Sequence, residues 1–413
     1  MGYETVSAAG GLATEPFELT ADFYQDPHAA YDQLRTRGPV NYVRFPDAST
    51  GWLITDYDAA KAAFMEPAIS KVLKSPGART ALAANGGGNN LANSMFKDML
   101  VFYDPPEHTR LRVVVNRAFG SRAISVLEPR ITAVADALLA ELATGAADRD
   151  LLEDYAVPLA VTVICELLGV PDRDRDNFRT WSTMLVSSDH PNDVRMAAVQ
   201  EFVVYIDQLV NAKTAAPEAD LLSELLTAEE GEDRLTHREL ISMVFLLLVA
   251  GFETTAHLIG NAVATLLTDN KSRETLREDS GRIPDFIEEV LRYRSPTSET
   301  TFRYTTAPIT VAGIDIPAGE LIVISVAATG RDPHRFAEAH QVDIDRTDNQ
   351  HLAFGHGIHR CVGAPLARMG GAIGLARLLD RYPDLELAPG AEPEWRRSYV
   401  IRGLTTLPVR LGN

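Results

Sequence analysis

Apolar residues recur at helical spacing from Phe23 to Arg37. Two short β-rich stretches follow, Asn41–Phe45 and Trp52–Thr55, separated by the turn-like Pro46-Asp47-Ala48-Ser49. Between Ser70 and Asn93 the periodicity is lost around Gly86-Gly87-Gly88-Asn89-Asn90, which predicts a long loop, more often a lid than filler. From Glu107 to Thr268 nearly everything reads as helix, broken near Gly120, Gly145, Pro171, Pro191 and Pro217. Residues up to about Glu15 are small and polar and predict a disordered start.

The longest predicted helix opens at Thr236-His237-Arg238-Glu239, a capping box in which Thr236 and Glu239 each satisfy an orphan N–H. No proline interrupts it before about Thr268, giving roughly 48 Å at helical rise. Its centre is apolar on most faces, so it is expected to run buried through the middle of the molecule. A further helix is predicted over Asp285–Tyr293, followed by strands near Thr310–Val311, Ile314–Ile316 and Leu321–Ser325, with Pro317-Ala318-Gly319 as a turn. The pattern is mainly α with a small β portion. A chain of 413 residues exceeds the usual single core, so length alone predicts two or three domains.

Charge narrows the function. A formal net charge of -18 argues against sequence-independent nucleic-acid binding and against broad adhesion to an anionic membrane. Cys165 and Cys361 are too few for a disulfide framework and suit a reducing compartment. The N-terminus lacks the basic and apolar regions of a signal peptide. The longest apolar run, Met243 to Phe252, is about half of the ~20 residues a spanning helix needs. A cytoplasmic protein without a membrane partner is expected.

The densest chemistry lies in Phe354-Gly355-His356-Gly357-Ile358-His359-Arg360-Cys361-Val362-Gly363, followed by the helix-like Ala364-Pro365-Leu366-Ala367-Arg368. A cysteine at a helix N-terminus meets unpaired N–H groups that favour the metal-binding thiolate. The glycines let backbone approach a flat cofactor closely. Cys165, within Val163-Ile164-Cys165-Glu166-Leu167-Leu168, fits instead the ordinary fate of a free cysteine, a small buried hydrophobe. A zinc site of His356, His359 and Cys361 is the competing reading of the loop, although no second Cys/His pair lies nearby to complete a tetrahedron.

A second cluster interrupts the central helix: Ala250-Gly251-Phe252-Glu253-Thr254-Thr255 after Phe245-Leu246-Leu247-Leu248-Val249. Burying an acid and a hydroxyl costs several kcal/mol unless partners satisfy them. The residues alone leave two readings open. Either Glu253 and Thr254 serve chemistry, or Glu253 faces solvent while Thr254 bonds back to a carbonyl.

The Cys361 loop resembles the haem-binding loop of the cytochrome P450 family, aromatic-x-x-Gly-x-x-x-Cys-x-Gly, with every fixed position filled by Phe354, Gly357, Cys361 and Gly363. Asp104–Arg112, Val163–Pro171, Leu246–Thr255 and His351–Arg368 extend the resemblance to soluble actinobacterial members that tailor macrolides and other polyketides. It implies one haem-thiolate monooxygenase domain over 16–413, with the long helix crossing haem b and Cys361 as the iron's axial ligand. It also implies His108, Arg112, Arg303 and His359 as propionate partners, and Ala250 and Gly251 lining the oxygen groove. Glu253 and Thr254 are implied for proton delivery, Thr254 by holding a water or the peroxo group. Glu289-Val290-Leu291-Arg292 resembles the family's structural Glu-x-x-Arg. Arg335 or His334 is offered as its third member, although Phe336–Asp343 departs from the family pattern there. His356 is left as a loop residue.

The implied activity is insertion of one atom of dioxygen into a C–H bond, or epoxidation, of a bulky and mainly hydrophobic small molecule by a monomer. Electrons are expected from a separate ferredoxin and ferredoxin reductase, docking near Arg110, Arg117, Arg360 and Arg368. Substrate walls are expected from 70–96, Trp181–Ser188, Phe245–Val249, Thr297–Thr300 and Val400–Ile401. A xenobiotic, steroid or terpenoid hydroxylase and a peroxygenase remain alternatives within the family. A haem sensor, an electron carrier or a non-haem helical binding protein are the readings outside it.

Overall fold

In a computed structural model, residues 15–85, 98–120, 124–145, 147–186, 192–227 and 235–412 are described. The glycine run Gly86-Gly87-Gly88, the proposed centre of a lid, lies outside them, as does the segment before Glu15.

The central helix spans His237–Thr268. Its capping box forms as expected: the Thr236 hydroxyl accepts from the Glu239 N–H, and the Glu239 carboxylate accepts from the Thr236 N–H at 2.8 Å. This helix is long and apolar enough by length and composition to cross a membrane, which the shorter run read from sequence did not anticipate. However, 67% of its most apolar window is buried inside the protein, packed by Val157–Leu168, Asn192–Ala215, Ile283–Tyr293 and Ala364–Arg381. It is the axle of the largest hydrophobic core.

The helix that follows Cys361, Ala364–Arg381, crosses the central helix at short range because three of its residues have no side chain there. A Cβ on Gly370 would lie 3.7 Å from the Thr255 methyl; on Gly371, 3.0 Å from Leu258; on Gly374, 3.1 Å from Ile259. The cysteine loop is thereby anchored just C-terminal of the acid–alcohol cluster.

The β portion is a six-stranded sheet in the order Phe17–Glu18, Val40–Arg44, Thr50–Ile54, Leu321–Ile324, Arg303–Thr305 and Ile69–Ser70. Thr50–Ile54 pairs antiparallel with Val40–Arg44 and parallel with Leu321–Ile324. The last two strands pair antiparallel, Ser70 opposite Tyr304, which sets Lys71 beside Arg303. Ile309–Val311 and Ile314–Ile316 form a hairpin, and Asp148–Asp150 joins Pro408–Arg410 and Glu386–Leu387 in a small third sheet.

Two sequence expectations change. Part of the predicted 70–93 loop is a helix, Pro76–Ala84, started by Ser75, whose hydroxyl accepts from the Ala78 N–H at 3.1 Å. Asp148–Asp150 is a strand inside the stretch read as helical, held by its pairing partner rather than by its own charged sequence.

The Glu-x-x-Arg pair is fully buried and holds the segment leading into the cysteine loop. Arg292 forms a bidentate pair with Glu289 at 2.8 and 2.6 Å and donates to the carbonyls of Gly330, Ala339 and Gln341. Its third member is Arg346, 3.3 Å from Glu289, with Asn349 donating at 3.2 Å. Arg335 pairs instead with Asp348 and His334 with Asp332, so neither residue offered from the sequence serves. The segment after Phe336 packs through its backbone carbonyls, which do not depend on a particular side-chain pattern.

Candidate active site

Cys361 is held by its own loop. Its N–H donates to the Phe354 carbonyl at 2.8 Å, and the Phe354 ring is covered by the Arg368 guanidinium at 4.5 Å. Gly357 has φ +71°, and a Cβ there would lie 2.9 Å from Met65 Sδ, so the turn requires glycine twice over. A Cβ on Gly363 would come 3.9 Å from the Cys361 sulfur.

Solvent reaches Cys361, yet burial pushes its thiol up; the N–H groups of Gly363 and Ala364 and the charges of Arg112 and Arg360 pull the other way. A side chain on the wall of a deep cleft has both properties. The helix-terminus effect expected to favour the thiolate is therefore present but outweighed by burial. Cys165 is buried in the core, its thiol pushed up to about 12 by burial, as a structural cysteine should be.

Around the cleft stands a group of cations with few counter-charges. His108 is buried and its ring packs 4.3 Å from that of His359; the Nε2 atoms of both are buried without a partner. Burial, then Lys71, His108, Arg303 and Arg112, hold His359 far below its ordinary value. Arg303 is buried, donates to the Thr301 carbonyl at 3.1 Å and is held down to about 10 by burial, with Asp104 opposing. Arg112 lies at the rim, bonded to Asn116 and to the Arg360 carbonyl at 2.6 Å.

Lys71 was not foreseen. It is buried, its ammonium donates to the Thr301 hydroxyl at 2.6 Å, and burial lowers it well below the ordinary lysine value. Asp104 accepts from the Ser70 hydroxyl and the Lys71 N–H. A lone lysine beside a two-residue strand carries no sequence signal; only the pairing with Arg303's strand reveals it.

The central helix opens toward solvent at one place in its buried middle. Ala250 is exposed and Leu246, Val249, Gly251 and Thr254 are half-buried, while Leu247, Leu248, Phe252 and Glu253 are buried. The Thr254 hydroxyl donates to the Ala250 carbonyl at 2.8 Å, which leaves its oxygen free to accept. Glu253 points the other way, into a pair with Arg396 at 3.1 Å, with His257 Nε2 at 3.9 Å. Burial pushes Glu253 up to about 7 against the pull of Arg396, and burial followed by Arg396 pushes His257 down to about 3. Thr254 does bond back to a carbonyl, whereas Glu253 is buried and paired rather than facing solvent.

Gly251 also meets a packing demand: a Cβ there would lie 2.6 Å from Ile164 Cδ1 on the neighbouring helix. The zinc alternative falls. Among the described residues the one acid-and-imidazole group close enough to hold a metal is Asp56, Asp332 and His334; His356, His359 and Cys361 do not converge.

A haem fits these residues. Among the described residues two buried imidazole nitrogens lack partners and buried Arg303 and Lys71 form no ion pair, while Cys361 and the Ala250 face of the central helix are both open to solvent. Carboxylates on the edge of a flat ring would satisfy the cations.

The comparisons agree with this geometry. The family described as Cytochrome P450 matches residues 180–398. The chain is 42% identical over 402 residues to the vitamin D(3) 25-hydroxylase of Pseudonocardia autotrophica, covering 97% of each chain. It is 35% identical over 395 residues to the polyketide biosynthesis cytochrome P450 PksS of Bacillus subtilis (strain 168), covering 94% of this chain and 97% of that one. The ligand-free P450 monooxygenase TamI superposes with TM-score 0.87 at 39% identity, covering 97% of this chain and 95% of that structure. The chain belongs to the cytochrome P450 family and is a monooxygenase, mainly α with a small β portion. The family implies a haem-thiolate cofactor, and enzymes of this type need a redox partner.

Proposed function

We propose that residues 16–413 form one haem-thiolate domain that hydroxylates or epoxidises a bulky, mainly hydrophobic polyketide- or macrolide-like molecule. Cys361 would ligate the iron of haem b. His108, His359, Arg303, Arg112 and Lys71 would hold the propionates, and Phe354, Gly357 and Gly363 would shape the loop beneath it. Bound there, the cofactor supplies dioxygen activation. The observation that carries this reading is that the buried His108 and His359 nitrogens have no partner, and buried Arg303 and Lys71 no ion pair, among the described residues, with an exposed cysteine in the same loop as His359.

The chain's own part is placement and protons. Exposed Ala250 would leave room for the cofactor and its small ligand. The Thr254 oxygen, its proton committed to Ala250, accepts from a water and holds it in the groove. Glu253, pushed up to about 7 by burial against the pull of Arg396, is placed to hold a proton behind that groove. Glu253 and Thr254 are the proposed catalytic residues, and their presence favours a dioxygen enzyme over a peroxygenase, a sensor or an electron carrier.

Electrons would come from a ferredoxin and its reductase, with the chain a cytoplasmic monomer. Two of the four arginines of the proposed docking patch are engaged within the chain. Arg110 pairs with Glu239 and Arg368 with Glu288, leaving Arg117 and Arg360 as its exposed cations.

The polyketide reading is supported by the likeness to PksS, whose name carries that pathway, and by apolar Phe245, Leu246 and Val249 beside the groove. A secosteroid substrate is the second reading, favoured by the likeness to the vitamin D(3) hydroxylase. Substrate-induced shifts of the haem absorption, measured with macrolides, linear polyketides and secosteroids, test both. A shift and ferredoxin-dependent oxygenation with macrolides or polyketides is expected; response to secosteroids alone would overturn the assignment.

A further inference from the structure

Away from the haem cleft, a cavity of about 280 Å³ is lined by Arg294, Arg331, Arg402, His28, Tyr293 and Trp395, with Asp26 the acidic residue on its wall. Guanidinium and ring alternate along it. Arg331 lies 3.7 Å over Tyr293 and Arg402 3.8 Å over Trp395, while Arg294 sits between the two rings at 5.8 and 5.4 Å.

These cations are not explained by internal pairing. Among the described residues no carboxylate forms an ion pair with Arg294, Arg331 or Arg402. Arg331 donates to the Tyr293 carbonyl at 2.9 Å, and Arg402 to those of Tyr24 and Gln25 at 2.5 and 2.8 Å. Arg294 has ring contacts and no side-chain hydrogen bond among them. Asp26 is occupied as the cap of Pro27–Arg37, accepting from the His28 N–H at 3.1 Å. The Nδ1 of His28 is buried without a partner. Burial, together with the neighbouring guanidinia, lowers Arg331 and Arg402 to about 10. Three like charges gathered in one cavity repel one another, and the rings that clamp them prevent escape.

We propose that this cavity is a binding site for a small doubly charged oxyanion, orthophosphate or a compact phosphate monoester. Guanidinium forks held by aromatic faces are preorganised for phosphate oxygens, and a neutral imidazole adds a directional contact. Three guanidinia against one lining acid, Asp26, leave an excess of positive charge on the cavity wall, which a dianion balances. The site adjoins the central helix, because Asn261 donates to the carbonyls of both Arg294 and Arg402, at 3.0 and 2.9 Å. Arg402 also follows Ile401, which bridges to Thr297 in the wall assigned to substrate.

The test is calorimetric titration of the haem-loaded protein with inorganic phosphate at constant ionic strength, chloride being exchanged for phosphate. Saturable one-to-one binding is expected, weakened at least tenfold in Arg294→Gln with the carbon monoxide difference spectrum unchanged. Glycerol phosphate in a second arm distinguishes an ester from the free ion by which binds more tightly. No saturable binding in the wild type, or equal binding in Arg294→Gln, overturns the proposal. Should that variant fail to load haem, the His28 ring resonances of wild-type protein decide: movement that saturates with phosphate supports the site, and none removes it.

Discussion

Arg396 Nη1 lies 3.1 Å from Glu253 Oε1 and 3.5 Å from His257 Nε2, so a residue of the C-terminal segment completes the environment of the acid on the central helix. Burial raises Glu253 to about 7 and Arg396 opposes that rise. A carboxyl raised in the fold contributes stability below its ordinary value, and that contribution is lost as pH rises through about 7. Delivery of its proton follows the same window. Product formed per reduced cofactor consumed should fall as pH rises through about 7, and in Arg396→Gln the inflection should move to higher pH. A pH profile of coupling in both proteins checks this; an inflection that stays put or moves down removes Arg396 from the proton path.

Thr254 adds a separable test. Its hydroxyl donates to Ala250 O at 2.8 Å and is left to act as an acceptor for water. Thr254→Ser keeps that arrangement and should stay coupled. Thr254→Ala should retain haem and substrate binding while diverting at least half of the electrons to hydrogen peroxide, measured against product. Equal coupling in all three proteins would show that the hydroxyl serves only the helix.

Gly251 separates packing from chemistry. Its absent Cβ points at Ile164, 2.6 Å away, so Gly251→Ala should destabilise by about 1–3 kcal/mol through overpacking. Ile164→Val in the same chain removes that Cδ1 and should restore most of the loss. Denaturant melts of the single and double variants measure this. A loss of oxygenation without loss of stability would show that the groove, not the packing, requires the glycine.

Much of this site was legible because its signals are local. The Cys361 loop, the capping box at Thr236 and the acid–alcohol pair each lie within a few consecutive residues. What escaped depends on contacts between distant segments. Ser75-Pro76 announces a helix start, but the small residues that follow show no apolar stripe, and Gly77 packs on Thr305, where a Cβ would meet its carbonyl oxygen at 2.2 Å. Arg346 reaches Glu289 only after the chain has folded back, so Arg335 and His334 were equally plausible candidates from sequence. Arg396, and the packing demand that Ile164 makes at Gly251, were missed for the same reason.

The buried pair itself predicts a stability effect. Arg292 uses its whole fork, two bonds to Glu289 and three to backbone carbonyls, which the ammonium of lysine cannot reproduce. Arg292→Lys should cost about 3–5 kcal/mol, the range for breaking a buried pair, and should lower the yield of haem-loaded protein. Thermal melts and the ratio of haem to protein absorbance check it. A loss under about 1 kcal/mol would mean that the surrounding backbone is held without the fork.

Lys71 should show a conflict between folding and cofactor retention. Burial holds its ammonium well below the ordinary lysine value, with Arg303 adding to the shift and Asp104 resisting it. Such a group favours the fold when neutral. That contribution is present above the ordinary lysine value and is lost as pH falls through the lowered one, so near neutral pH the apoprotein carries a penalty. Lys71→Met fills the same space without charge and should raise the apoprotein's melting temperature. It should also speed haem loss to a scavenging protein several-fold, because a propionate loses one of its cations. Lys71→Arg keeps the charge and should retain haem better than methionine does. If methionine leaves haem loss unchanged while stabilising the apoprotein, Lys71 is a buried structural lysine and the propionates rest on Arg303, Arg112 and the two histidines alone.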